Sequence, residues 1–133
     1  MRILIVEDDF TSRRLLQKIL APYGECEIAI NGKEAVSAVE LAWGEDAPYH
    51  LICLDIMMPE MDGQETLGRI RAIEKEKGVN LGSEQSSKIV MTTSLADPEN
   101  FFGAFRKGCE TYVIKPIERK KLLDELQKLD LIN

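Results

Sequence analysis

Five polar residues follow the ends of strand-like apolar runs, and each could handle a phosphate or a metal ion. They are Asp8 and Asp9 after ILIVE, Asp55 after LICL, Thr93 after KIVMT, and Lys115 after TYVI. In a parallel α/β sheet the carboxyl ends of the strands lie along one edge, and ligands bind there. These side chains are therefore expected to converge. Three acids, a hydroxyl and a lysine in one place predict a cation-dependent phosphoryl site.

The acids indicate which cation this site would take. Two carboxylates ~5 Å apart repel each other by about 3 kcal/mol at an effective dielectric constant of ~20. Three ionised carboxylates at one sheet edge therefore need a cation or raised pKa values. Ligand sets made only of oxygen atoms favour Mg²⁺, which binds a few carboxylates and keeps several waters.

Each of these residues also has an ordinary structural interpretation. Asp8 and Asp9 precede a predicted helix and could cap its N-terminus. Asp55 could be a turn residue, and Lys115 could be a surface lysine beside a proline that starts a helix. Threonine is common in strands, so Thr93 alone indicates little. One shared site explains all of these positions together, and we therefore prefer it.

Strand-like and helix-like segments alternate along the whole chain. The predicted strands are 3–6, 27–30, 51–54, 88–92 and 111–114, and the predicted helices are 11–20, 33–43, 64–74, 98–107 and 118–129. This alternation predicts a three-layer α/β fold, a five-stranded parallel sheet with five helices on its two faces. The polar segment 76–87 is long for an αβ loop, which usually spans about 2–6 residues. It is either a tolerated surface insertion or a partner-specific contact.

Composition limits the classes of function. The 133 residues suit one domain, and hydrophobic residues make up 44% of the chain, enough for a core. The net charge of −6 argues against a nucleic-acid or anionic-membrane partner. We find no signal peptide and no apolar run near the ~20 residues of a membrane-spanning helix. The three cysteines show no CxxC spacing, so we expect reduced thiols and a cytoplasmic location.

Four blocks of the sequence resemble those of one protein family. ILIVEDD, LICLDIMMPEMDG, IVMTTS and YVIKP are similar to the signature blocks of receiver domains of bacterial two-component response regulators, in the same order and at the same spacing. The resemblance covers essentially the whole chain, and it is closest to single-domain, chemotaxis-type regulators. It implies a flavodoxin-like fold with strand order 2-1-3-4-5. Only one helix follows Lys115, so we expect residues 1–133 to be a receiver domain without an output domain.

The resemblance also implies a role for each residue at the predicted site. Asp55 would be the phosphoacceptor. Asp9 would bind Mg²⁺ directly together with Asp55, Asp8 would act through a bound water, and the backbone carbonyl of Met57 would complete the protein ligands. The two remaining residues, Thr93 and Lys115, would contact the phosphoryl oxygens.

A conformational switch and its partners are implied in the same way. Tyr112 would turn inward when Thr93 moves toward the phosphoryl group, although it could equally be a tyrosine packed at the sheet edge. The expected output face is the fourth helix, the fifth strand and the fifth helix, where Phe101 or Phe102 could be an exposed partner contact. The phosphodonor would be a sensor histidine kinase or a histidine phosphotransfer protein, and the phosphorylated domain would either bind a partner or pass the phosphate onward in a relay. The domain would be a monomer or a phosphorylation-dependent dimer.

Two positions depart from the best-known members of the family. Met57 lies two residues after Asp55, and Leu95 lies two residues after Thr93, where polar residues often assist an attacking water. We therefore predict slow self-dephosphorylation. His50, the single histidine, is interpreted as a loop or strand-edge residue and not as a phosphate carrier.

Two other functions compete with the signalling switch. A Mg²⁺-dependent phosphohydrolase with an aspartyl nucleophile would place a second acid where this chain has Met57. A non-phosphorylated interaction module would lack one or more of the site residues, yet all are present. The sequence therefore favours a phosphoacceptor switch that is not an enzyme acting on other substrates.

Overall fold

The computed structural model describes residues 1–58, 61–94 and 98–133, without the side chains of 98–101. The strands are β1 (Arg2–Val6), β2 (Glu25–Ala29), β3 (Leu51–Asp55), β4 (Lys88–Thr93) and β5 (Thr111–Ile114). The helices are α1 (Phe10–Leu20), α2 (Gly32–Gly44), α3 (Gly63–Glu76), α4 (Pro98–Lys107) and α5 (Arg119–Lys128). A short 3₁₀ turn, Ala21–Tyr23, follows α1.

The strands form one parallel sheet in the order β2-β1-β3-β4-β5, which confirms the predicted topology. Strand β1 lies between β2 and β3, with Ile5 opposite Ile28 on one side and Cys53 on the other. All residues of β3 are buried, as expected for a parallel strand covered on both faces. The carboxyl ends of β1, β3, β4 and β5 consequently share one edge.

Alternate side chains of the sheet enter two separate cores. Leu4, Leu54 and Met91 pack against α2, α3 and α4, whereas Ile5, Cys53 and Val90 pack against α1 and α5. This alternation is the period of two that a strand imposes on its side chains. Because both faces of the sheet are fixed by large apolar contacts, the strand register that positions the site is fixed as well.

In the part of the chain that the structure describes, three helices start at a side-chain cap. Asp9, Asn31 and Asp62 each accept a hydrogen bond from the backbone N–H three residues later, at 2.8, 2.9 and 2.8 Å. These caps satisfy donors that a helix leaves unpaired in its first turn. Among the described residues, no helix is both long and apolar enough to span a bilayer.

The element boundaries differ slightly from the predicted ones. Strand β2 starts at Glu25 and not at residue 27, and α3 continues to Glu76, so the long segment before β4 is 77–87. Leu95 lies outside the described residues, and so does the side chain of Phe101. The three cysteines are free thiols, two of them buried.

Candidate phosphoacceptor site

The first part of the site is a lysine held between two buried carboxylates. Glu7 follows β1, Asp55 ends β3 and Lys115 follows β5. The Nζ of Lys115 lies 2.5 Å from Oε1 of Glu7 and 3.4 Å from Oδ2 of Asp55. The Lys115–Pro116 peptide bond is cis. The predicted convergence of Asp55 and Lys115 from distant parts of the sequence is therefore present.

The second part is an acidic group that fits a divalent cation. Glu7, Asp8 and Asp55 each place one carboxylate oxygen within 4.8 Å of the others. Glu7 and Asp55 are buried, while Asp8 is exposed, so the group opens toward solvent on one side. Closely spaced oxygen donors with an open side are what Mg²⁺ requires, since it keeps several of its waters.

Asp9 takes a different position from the one predicted. Its carboxylate caps α1 by accepting the N–H of Ser12 at 2.8 Å, and this bond lowers the pKa of Asp9. Its backbone N–H donates to Oε2 of Glu7 at 3.2 Å. The acidic group is thus shifted one residue toward the N-terminus, to Glu7 and Asp8, and the structural interpretation of Asp9 as a cap is the one that the geometry supports.

Glu7 is the site residue that the sequence analysis missed. It ends the first strand-like run of the sequence, and in the structure it is completely buried beyond the last residue of β1. The available signal was the run of three acids directly after four apolar residues. A carboxylate at the first of these positions must lie against the sheet edge, because the strand is buried on both faces.

Burial and the charge of Glu7 shift the pKa of Asp55, the candidate nucleophile. Desolvation, followed by the hydrogen bond and charge of Glu7, raises the pKa of Asp55 to about 7. Lys115 and the N–H of Met57, which donates to Oδ1 of Asp55 at 3.2 Å, act in the opposite direction but do not outweigh burial. For Lys115, burial lowers the pKa, but Glu7 and Asp55 raise it overall.

The start of α3 approaches the end of β3 closely. The N–H of Gly63 donates to the carbonyl of Ile56 at 2.8 Å. A Cβ atom at Gly63 would lie 2.2 Å from the carbonyl oxygen of Asp55, so a larger residue cannot occupy this position without moving the backbone. Met57, next to this contact, is 57% exposed.

The remaining predicted residues lie on β4 and β5. Thr93 is buried at the end of β4, and its carbonyl accepts the N–H of Lys115 at 2.7 Å. Asp55 is opposite Thr92 in the register, so Thr93 lies one residue beyond Asp55 along the edge. Tyr112 is half-buried on β5, where it packs against the core that includes α3 and α4. His50 is exposed and accepts the N–H of Arg2 on Nδ1 at 2.9 Å, far from this edge.

Sequence comparisons identify the family of the chain. The model of the response regulator receiver domain matches residues 3–127. A protein of Leptolyngbya boryana described as an uncharacterized 14.6 kDa protein is 36% identical over 129 residues, covering 96% of this chain and 88% of that protein. The chemotaxis protein CheY of Listeria monocytogenes is 27% identical, with 96% and 97% of the two chains covered.

Solved structures agree with this assignment. The chemotaxis protein CheY4 of Vibrio cholerae superposes with a TM-score of 0.78 at 26% identity, covering 96% of this chain and 97% of that one. The receiver domain of the histidine kinase CKI1 of Arabidopsis thaliana, solved with Mg²⁺ and BeF₃⁻, gives a TM-score of 0.81 at 26% identity, with coverage of 97% and 89%. This chain therefore belongs to the response regulator receiver domains, the phosphoacceptor switches of two-component signalling.

Proposed function

We propose that Asp55 is the phosphoacceptor of this receiver domain and that phosphorylation alters protein binding at a distant face. The observation that supports this most directly is the position of Lys115, which contacts both Glu7 and Asp55 beside an open acidic group. A buried carboxylate next to a cation and near further metal ligands is the arrangement that phosphoryl transfer to an aspartate needs.

Mg²⁺ fits the donor set, and the proposed ligands are Asp8 and Asp55, with the backbone carbonyl of Met57 and with Glu7 acting through water. This assignment replaces Asp9 by Asp8 as the direct ligand, because the carboxylate of Asp9 caps α1. A bound Mg²⁺ would offset negative charge on the phosphoryl oxygens.

In this proposal Asp55 supplies the nucleophile, and Lys115 and Thr93 position the phosphoryl group. In the proposed reaction an oxygen of ionised Asp55 attacks the phosphorus of a phosphohistidine donor. A P–O bond forms as the P–N bond breaks, and the electron pair of that bond returns to the imidazole nitrogen. Lys115 would then pair with one phosphoryl oxygen, and the hydroxyl of Thr93 would donate to another.

The proposed output face is formed by α4, β5 and α5. Phe102 and Phe105 on α4 are 59% and 42% exposed, and Ile114 on β5 is 42% exposed. Large exposed apolar side chains on these elements are typical of a protein interaction surface. Tyr112 lies on β5 within this face, so a change in its packing after Thr93 moves would alter the surface that a partner contacts.

Membership of the family indicates the kind of protein that this domain binds. Receiver domains interact with histidine kinases or with phosphotransfer proteins, and we propose one of these as the donor here. Binding of a downstream protein at the output face, a monomeric or phosphorylation-dependent dimeric state and a cytoplasmic location all stay predictions.

The proposal is tested by incubating the protein with Mg²⁺ and acetyl phosphate and measuring its intact mass. We expect one added phosphate, which is absent in Asp55→Asn and after addition of EDTA. Asp62→Asn, which changes an acid of the same type at the cap of α3, serves as the matched control and should still be phosphorylated. Repeated turnover of a small phosphate ester, or no adduct under any condition, would contradict the proposal.

A further inference from the structure

The long loop before β4 is fixed to the rest of the protein by a buried polar network. We call residues 77–87 the 77–87 loop, and we call Arg71, Glu74, Ser86, Ser87 and Glu110 the Arg71 network. Arg71 lies 2.7 Å from Glu74 and 2.8 Å from Glu110. Glu74, which is 2% exposed, also accepts the N–H of Ser87 at 2.8 Å. A surface insertion without a role would not need a buried carboxylate to hold it. The contacts with Glu74 therefore indicate that this loop has a defined position.

The tip of the fixed loop presents an apolar side chain to solvent. Leu81 is 60% exposed. Its side chain lies beside Gly108, since a Cβ atom built on Gly108 would be 3.5 Å from Cδ1 of Leu81. The loop and the end of α4 are therefore neighbours, and a cleft of about 340 Å³ lies between the loop, the end of α3 and the end of α4. This volume is within the usual range for binding clefts.

The cleft is basic, although the protein is acidic. Lys75, Arg106 and Lys107 line it and are exposed, and no carboxylate in the described part of the chain forms an ion pair with any of them. Their positions in the last turns of α3 and α4 complement the helix dipoles. Glu74 also lines the cleft, but Arg71 offsets its charge. A local positive potential thus surrounds Leu81 on a chain with a net charge of −6.

We propose that this cleft binds an acidic segment of a partner protein that carries at least one large apolar side chain. The exposed leucine provides the apolar contact, and the three cations provide charge complementarity. A short segment contacts only this basic region, whereas a broad anionic membrane surface would also meet the repulsion of the negatively charged protein as a whole. The proposed site lies outside the acidic group around Asp55 and does not depend on phosphorylation.

The test is selection of random peptides on the intact domain at low salt, followed by affinity measurements on variants. We expect the enriched peptides to be acidic and to contain a large apolar residue. Leu81→Ser, and separately Arg106→Glu combined with Lys107→Glu, should weaken their binding by about tenfold or more, which corresponds to ~1.4 kcal/mol. These side chains are exposed, so the variants should fold normally, as circular dichroism and melting curves would establish.

Matched controls separate a specific site from general charge attraction. Arg14→Glu combined with Lys18→Glu makes the same charge change at exposed residues of α1, outside both the cleft and the proposed output face, and should leave peptide binding unchanged. Enrichment of peptides without acidic residues, equal losses in the two double variants, or no enrichment at all would overturn the proposal. Binding to phosphatidylserine vesicles that is lost in the Arg106 and Lys107 variant, without binding of acidic peptides, would overturn it in favour of a membrane surface.

Discussion

At the scale of single residues, the three acids that follow β1 have different roles. Glu7 is buried against Lys115, Asp8 is exposed at the opening of the acidic group, and Asp9 caps a helix. The three are consecutive, so residue type alone does not separate them. The direction of each side chain relative to β1 and α1 separates their roles, because a strand and a helix N-terminus present successive residues to different surroundings.

The first prediction separates metal binding from capping. Asp8→Ala should weaken Mg²⁺ binding by more than about tenfold, because even the loss of an outer-shell partner commonly costs that much. Asp9→Ala should lower the melting temperature of the metal-free protein, because the N–H of Ser12 loses its partner, while Mg²⁺ affinity changes less. Isothermal titration with Mg²⁺ and thermal denaturation measure the two effects. A larger loss of Mg²⁺ affinity in Asp9→Ala would reverse our assignment.

The second prediction concerns the lifetime of the phosphorylated state. Met57 is exposed two residues after Asp55, and its side chain has no amide, hydroxyl or carboxylate group to orient an attacking water. The phosphorylated protein should therefore lose its phosphate over minutes or longer, and Met57→Asn should shorten this lifetime because an amide can position water. Intact mass measured over time, after removal of the phosphodonor, gives the lifetime of the phosphorylated state in the unmodified protein and in the variant. Loss of phosphate from the unmodified protein within seconds would refute the prediction.

At the scale of elements, the regular pattern of the sequence predicted most of the fold. The wholly apolar runs 3–6 and 51–54 predicted buried parallel strands, and the strand order follows once the family resemblance is included. The outward direction of Leu41 was not predicted. It is one of the apolar residues of α2, yet it is 66% exposed. A stripe of four apolar residues leaves the edge of a helix face ambiguous, and packing against α3 settles which residues are covered.

The Arg71 network also could not be predicted from the sequence. Its members come from α3, the 77–87 loop and the residue before β5, and no local spacing connects Arg71 with Glu110. The same holds for Glu7, whose importance depends on the arrival of Lys115 from the other end of the chain. Local patterns specify elements, whereas these contacts depend on how the elements pack.

The third prediction tests the importance of this network for the elements that it joins. Arg71→Met should destabilise the domain by about 3 kcal/mol or more, because it leaves the buried carboxylate of Glu74 without its cation. Arg69→Met on the same helix is the matched control. Arg69 is exposed and lies 3.5 Å from Glu65, so its loss should change stability by less than about 1 kcal/mol. Urea unfolding measures both variants, and equal stabilities would show that the network contributes little.

At the scale of the whole molecule, the site and the stability of the fold are coupled through protons. The sheet edge holds Glu7 and Asp55 together in a buried position, and the raised pKa of Asp55 is a consequence. A native protein that retains this proton up to about pH 7 binds more protons than the unfolded chain, in which an aspartate titrates near 3.8. The group that we propose as the phosphoacceptor therefore also makes the metal-free domain sensitive to pH.

The fourth prediction is that the free energy of unfolding of the metal-free domain falls as pH rises from the ordinary pKa of 3.8 to about 7, because in that window the unfolded chain has released the Asp55 proton while the native state still holds it. The contribution is fully present below the ordinary pKa and is lost as pH rises through the native value. Excess Mg²⁺ binds only the ionised carboxylates, so it should stabilise the domain more at the higher pH and reduce the decline. Urea unfolding at several pH values, with Mg²⁺ or EDTA, measures this.

Asp55→Asn should flatten the metal-free profile because its side chain does not titrate. An equally steep decline in that variant would assign the effect to another group, and a metal-free stability that rises across this range would contradict the coupling.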